Sequence, residues 1–347
     1  MAKMYIDESY NYEELLKTFR EMVDKGIPFM IVGPTGMGKT EWIKEIAGEK
    51  QKTLSVFHAA RNSNTDFVAP IVDQKELTWA VAKRLRELGE KNVLAFFDEW
   101  NRSDDLTANA LLSVLYDGQF EDVKFGEGTT VVFAGNEDTS RGTRALFEAE
   151  ITRMPVFILD LSNLSREHSY LKYWVKIAND KLNLDSRIIQ FIYAYPEYLY
   201  MHTDEIQPFP TPRSWANLSK MVDFILKETN GTRNFTIASY VGREAASKFI
   251  MFYDYILKMP KVEDLLSGKV ELKEFDKRIA SIDILIKYIK NQDTAEEVIK
   301  FVKNEFGYEL LYLFVLLVKS NLKIASYLKK NKAAANILTD LAIIDKK

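Results

Sequence analysis

Short apolar runs alternate with amphipathic stretches through the first half of the chain. Pro28-Phe29-Met30-Ile31-Val32 is a continuous apolar run closed by Gly33, the pattern of a strand buried on both faces. Runs of the same kind recur at 54–57, 93–97, 130–134 and 156–159. Between them, 41–48, 78–88 and 108–116 read as helices, and 12–25 as an amphipathic lead-in helix. Strands separated by helices predict a parallel sheet covered on both faces.

From Leu164 onward the strand pattern fades. Residues 171–182, 187–195 and 213–227 read as helices, and the turn-rich string 229–234 (TNGTRN) reads as a break before a further helical region. The expected division is therefore a core at 1–163, a helical lid at 164–230 and a helical C-terminal region at 231–347. The most apolar run, 310–318 (LLYLFVLLV), is nine residues long against the about 20 that a bilayer needs, so it predicts a buried helix.

Composition narrows the classes. The chain has 347 residues, 47% of them hydrophobic and 28% charged, enough for about two cored domains and incompatible with disorder as the main state. Forty-seven basic against fifty acidic residues leave a net charge of -3, which advertises neither nucleic acid nor an anionic membrane as partner. The absence of cysteine excludes disulfides, thiolate metal sites and cysteine nucleophiles. The three histidines, His58, His168 and His202, are too scattered for a zinc site by spacing. The N-terminus has no apolar secretory stretch, and the expectation is a cytoplasmic protein.

The chemistry is concentrated in two strings. Gly33-Pro34-Thr35-Gly36-Met37-Gly38-Lys39-Thr40 matches G-x-x-x-x-G-K-[ST] and falls between a predicted strand and a predicted helix. Glycines there let successive backbone N–H groups turn toward phosphate oxygens, and the helix N-terminus adds positive potential. Lys39 is placed to reach the β- and γ-phosphates and Thr40 to ligate Mg²⁺. Phe96-Phe97-Asp98-Glu99 is an apolar strand ending in two carboxylates. On a strand neighbouring the loop strand, Asp98 would enter the Mg²⁺ shell as the Walker-B acid, and Glu99 would orient or deprotonate the attacking water.

The order of these strings, followed by Asn136 after the apolar strand 131–134, resembles the AAA+ ATPase core. The resemblance implies a P-loop NTPase fold of the α/β class, with a parallel sheet sandwiched by helices, an α-helical lid and here an additional helical C-terminal region. It implies sensor 1 at Asn136, an arginine finger at Arg153 that reaches the neighbouring subunit's γ-phosphate, and sensor 2 at Arg213, which opens a lid helix after Pro210-Thr211-Pro212. Arg141 and Arg144 compete for the finger's role, and both read better as solvent-exposed loop arginines. Asp98-Glu99-Trp100-Asn101-Arg102 and the stretch 108–121 are similar to MoxR-like ATPases, whose insert in the second helix matches 59–88 in length and place. Residues 239–268 are similar to a subgroup of that family found beside von Willebrand A-type proteins. The finger departs from the family, with Met154 where Phe is usual.

The resemblance implies an Mg²⁺-dependent ATPase working as a ring, with a hexamer the expected size, that remodels a partner protein such as a von Willebrand A-type protein. A finger supplied in trans makes hydrolysis depend on assembly. The C-terminal helices and the insert are the expected docking places, and Arg61 with the residues to Phe67 form a candidate pore loop. Two other readings stand beside this one. A nucleic-acid motor or loader is disfavoured by the balanced charge, and a nucleotide-gated scaffold with little hydrolysis is disfavoured by the full set Asp98, Glu99 and Asn136. Residue types leave the choice between ATP and GTP open.

Overall fold

The computed structural model describes residues 11–61, 68–73, 76–111, 118–120, 123–136, 143–146, 148–203, 205–319 and 321–344. The chain forms two compact units, 1–161 and 162–347.

The first unit opens with helix α1 (Tyr12–Asp24). The Asn11 side chain accepts a hydrogen bond from the Glu13 amide, and Glu13 and Glu14 sit in the first turn where the helix dipole favours them. Its apolar stripe, including Leu15, Phe19 and Val23, is buried. Strand β1 (Phe29–Val32) follows, buried along its whole length, and then α2 (Lys39–Glu49) and β2 (Thr53–His58).

Two further strands, β3 (Val68–Asp73) and β4 (Glu76–Val81), pair antiparallel with Val68 opposite Val81 and Ile71 opposite Thr78. The helix expected over 78–88 is thus corrected. Thr78, Trp79 and Val81 are β-branched or aromatic and continue a strand in a hairpin, and helix begins only at Lys83, over Lys83–Arg86 and a 3-10 turn at Glu87–Gly89. Strand β5 (Val93–Asp98), the small hairpin β6 (Gln119–Phe120) and β7 (Val123–Lys124), β8 (Thr130–Gly135) and β9 (Val156–Ile158) complete the unit. Of the helix expected over 108–116, the described part is Asp105–Leu111, and 112–117 lie outside the described residues.

The main sheet has five parallel strands in the order β2-β5-β8-β1-β9. One correction follows from this order. The strand that ends in Asp98 does not neighbour the loop strand, because β8 lies between them. The core of the sheet is aromatic, with Phe97 stacked on Phe57 at 4.7 Å and on Phe133 at 5.2 Å between ring centres. Trp100, fully buried, closes the stack edge-on to Phe133 at 4.7 Å.

The second unit is helical. Helices Ser169–Asp180 and Ser186–Ala194 keep buried stripes that include Leu171, Trp174, Ile188 and Phe191. The expected helix over 213–227 is two helices, Pro212–Ser219 and Val222–Ile225, interrupted at Lys220 and Met221. Trp215, Leu218, Val222 and Ile225 are buried across that interruption, so the apolar face survives it. The break expected at 229–234 is instead the start of helix Asn230–Val241. Thr229 holds the extended N-cap conformation, and turn-forming residues are also the residues that open helices.

Helices continue from Arg243–Leu257 to Lys332–Ile344. The apolar run lies on helix Tyr308–Val318, which is largely buried from Leu310 to Val318, while Tyr308 and Glu309 in its first turn are exposed. The Asn179 amide donates to the Leu316 carbonyl at 2.9 Å, tying Ser169–Asp180 to that central helix. Among the described residues, no helix is long and apolar enough to cross a membrane.

Candidate nucleotide site

The glycine-rich loop leaves β1 at Gly33 and ends at Gly38, which caps α2 with φ 111°. Only glycine takes that backbone without strain, and it turns the first amides of α2 toward the loop. Lys39 is 7% exposed, and its ammonium donates to the carbonyls of Gly33 (2.6 Å) and Pro34 (2.9 Å) and to Asn136 Oδ1 (3.3 Å). A buried ammonium at a helix N-terminus makes the loop attractive to an anion.

The Thr40 hydroxyl donates to Asp98 Oδ2 at 2.8 Å, and Asp98 Oδ1 accepts the Glu99 amide at 2.9 Å. Helix α2, which packs against β5, carries Thr40 to Asp98, so the two residues expected to share a cation are in contact. Hydroxyl and carboxylate oxygens fit a hard divalent cation that takes its remaining ligands from phosphates and water. Among the described residues there is no cluster of three His, Asp or Glu able to hold a metal by protein ligands alone.

Glu99 carries φ 55° and ψ 36°, the left-handed region, unusual for a residue with a side chain. Such strain persists where surrounding structure enforces it, and here a three-residue turn, Trp100–Arg102, follows at once. The Glu99 carboxylate is half-exposed and lies 3.5 Å from the Arg102 guanidinium.

Asn136 follows β8 and is buried. What holds it is Asn101, fully buried, whose side-chain amide donates to the Asn136 carbonyl (2.7 Å) and whose Oδ1 accepts the Asn136 amide (2.9 Å). This bracing role is new. Asn101 stands in the sequence only as part of a motif, and no local pattern relates it to residue 136. Gly135 belongs to the same device, since a Cβ there would lie 2.9 Å from Asn101 Oδ1 and 3.0 Å from Met30 Cε. Asn101→Ala leaves both backbone groups of Asn136 buried without these partners. The expected cost is about 3 kcal/mol of stability, measured by denaturant unfolding, together with a lower rate of phosphate release.

Arg144 is not a solvent-exposed loop arginine, as its position suggested. Its guanidinium makes two hydrogen bonds to the Glu150 carboxylate, at 2.7 and 3.1 Å, and lies 5.7 Å from the Trp100 ring centre. Glu150 is fully buried and also accepts the Trp100 indole N–H. Arg141 lies outside the described residues, as do 62–67 of the candidate pore loop.

Arg153 is half-buried, with its guanidinium donating to the Ala149 carbonyl at 3.1 Å, and Met154 is buried in the aromatic core. Arg213 is exposed in the first turn of Pro212–Ser219, a helix closed by a capping box between Thr211 and Ser214. The fold thus brings together Lys39, Thr40, Asp98 and Asn136, with Glu99 adjoining. Arg153 stands at the end of a separate helix of the same unit, and Arg213 belongs to the second unit.

Residues 28–154 match the family model described as AAA domain (dynein-related subfamily). With the parallel sheet and phosphate loop, this segment has the AAA+ P-loop NTPase fold. No curated protein matches the chain in sequence. Among solved structures, the RuvB Holliday junction branch migration motor of Thermotoga maritima is similar at 17% identity and a TM-score of 0.42, over 86% of this chain and 86% of that one. NtrX from Brucella abortus in complex with ADP is similar at 17% identity and a TM-score of 0.42, over 93% of this chain and 68% of that one.

Proposed function

We propose that this chain is an Mg²⁺-dependent ATPase that assembles as a ring, a hexamer in the favoured form, and uses hydrolysis to remodel a partner protein. The contact of Thr40 with Asp98, beside a buried Lys39 that also touches Asn136, carries this reading. It gathers a phosphate ligand, a cation pair and an amide suited to orienting water at the C-terminal ends of the central strands.

Lys39 and the amides of Gly36 to Thr40 bind the phosphates, and Thr40 and Asp98 hold the cation. The cation neutralises charge on the phosphate oxygens when bound. Glu99 orients the attacking water and accepts its proton, aided by the Asn136 side chain on the same water. Asn101 keeps Asn136 aligned. Arg153 from the neighbouring subunit stabilises the charge that develops on the γ-phosphoryl group, and Arg213 senses that group in cis. The resemblance to MoxR-like ATPases favours a protein client, of which a von Willebrand A-type protein is the first candidate. It also favours a lid at 164–230, and the partner docks on the C-terminal helices or on the insert at 59–88.

Sedimentation with Mg·ATP, paired with phosphate release at rising protein concentration, tests the reading. The expected result is an ATP-driven ring whose specific activity climbs with concentration. A monomer with concentration-independent hydrolysis removes the trans finger, and a chain that binds ATP without releasing phosphate favours the scaffold.

A further inference from the structure

Between the Walker-B turn and Arg153 runs a chain of buried polar contacts that the chemistry above does not use. Trp100, the residue after Glu99, donates its indole N–H to Glu150. Arg144 grips both oxygens of the same carboxylate, and its own amide donates to the Asn101 carbonyl at 2.7 Å. Glu150 is fully buried and lies on the short helix Glu148–Ile151, which Arg153 follows. The Arg153 amide donates to the Glu150 carbonyl at 3.4 Å, and its guanidinium to the Ala149 carbonyl at 3.1 Å. On the other side of Arg153, Met154 belongs to the same buried cluster as Trp100, Phe97 and Phe133.

We propose that Glu150 is a positioning residue for Arg153, and that the Trp100–Glu150–Arg144 clamp fixes the arginine offered to the neighbouring subunit onto the turn that carries this subunit's own Glu99. This rests on the reading of Arg153 as a finger acting in trans.

The chemistry favours a locating role for the clamp. A buried carboxylate held by a bidentate guanidinium and an indole fixes direction as well as distance. Buried ion pairs contribute little net stability over apolar packing, so a retained one is better explained by the geometry it imposes. Misplacement of a catalytic group by about 1 Å costs on the order of 10²-fold in rate, which is the scale on which such a clamp acts. The turn Trp100–Arg102 supplies two separate braces, Trp100 toward Glu150 and Asn101 toward Asn136. The finger and the water-orienting machinery of one subunit are thereby built on one rigid turn.

The test uses subunit mixing in the full chain with Mg·ATP. Glu150→Gln alone is expected to release phosphate ten- to a hundredfold more slowly, with the affinity for a fluorescent ATP analogue unchanged within twofold. Glu99→Gln alone is expected to be about 10²- to 10⁴-fold slower but keeps its finger. Mixed, the two variants form interfaces in which an intact Glu99 on a Glu150→Gln subunit meets a well-placed Arg153 from a Glu99→Gln subunit. Activity above the sum of the separate variants is the expected result. A mixture that stays at that sum shows that Glu150 serves its own subunit's site, and overturns the proposal.

The control mixture pairs Arg153→Ala with Glu99→Gln. If the control recovers activity and the Glu150→Gln mixture does not, the clamp idea alone fails. If the control does not recover, the trans finger itself is wrong and the clamp idea falls with it. Arg144→Lys, which keeps the charge and loses the fork, repeats the experiment should Glu150→Gln not fold, and the same recovery on mixing is expected.

Discussion

On the proposed reading, Glu99→Gln is expected to lower the rate of phosphate release about 10²- to 10⁴-fold and to leave ATP binding intact. The amide is isosteric with the carboxylate and can still hydrogen-bond a water, but it cannot take the proton. Binding is expected to be spared because, on the proposed reading, the phosphate contacts would fall to Lys39 and the loop amides and the cation contacts to Thr40 and Asp98, which meet at 2.8 Å. Glu99 is half-exposed, and its ion pair with Arg102 is a 3.5 Å surface contact, so its loss adds little to stability. Equilibrium binding of a fluorescent ATP analogue and phosphate release, measured on one preparation, separate the two effects. A Glu99→Gln protein that hydrolyses at the wild-type rate would place the base elsewhere.

Removing the Glu150 carboxylate altogether has the largest expected effect on stability. Glu150→Ala strands a guanidinium that is mostly buried against Trp100 and leaves the indole N–H without its acceptor. Breaking one side of a buried pair costs about 3–5 kcal/mol, because the remaining charge keeps its desolvation penalty and loses its compensation. In a unit of this size that corresponds to a drop in Tm of roughly 10 °C. Thermal unfolding of the Glu150→Ala single variant and of Glu150→Ala with Arg144→Met measures it. The double variant is expected to recover part of the loss, since it removes the stranded charge. A single variant that melts like wild type would show that the pair is solvated in solution.

The sheet strands and the phosphate loop are legible in the sequence because each is a contiguous string. Four or five apolar residues and a closing glycine define β1, and eight consecutive residues define the loop. Asp98 and Glu99 are legible for the same reason. The order of the strands is not, since nothing in the local pattern says that β8 inserts between β1 and β5, and so the contact of Thr40 with Asp98 could be expected only from the chemistry. The hairpin of β3 and β4 escaped because its second strand runs directly into a helical turn at Lys83 and shares an apolar stretch with it. The helix start at Asn230 reads as a break for a complementary reason, because residues that end helices also begin them.

Asn101, Arg144 and Glu150 are illegible in a deeper sense. Asn101 and Glu150 have partners far along the chain, Asn136 and Trp100, and Arg144 lies near Glu150 in sequence, but burial is what turns each from a surface group into a brace. Periodicity registers apolar faces, and a polar residue that points inward appears there only as an irregularity.

The packing of Gly135 against Asn101 also bears on how such a chain can change by inheritance. A methyl at 135 meets the amide of 101 at 2.9 Å, so the two positions cannot drift independently. A lineage that gains a side chain at 135 must first give up the long amide at 101, and with it the brace on Asn136. Position 135 is therefore expected to stay glycine for as long as position 101 stays asparagine, and to vary only among descendants that have found another way to hold the residue after β8.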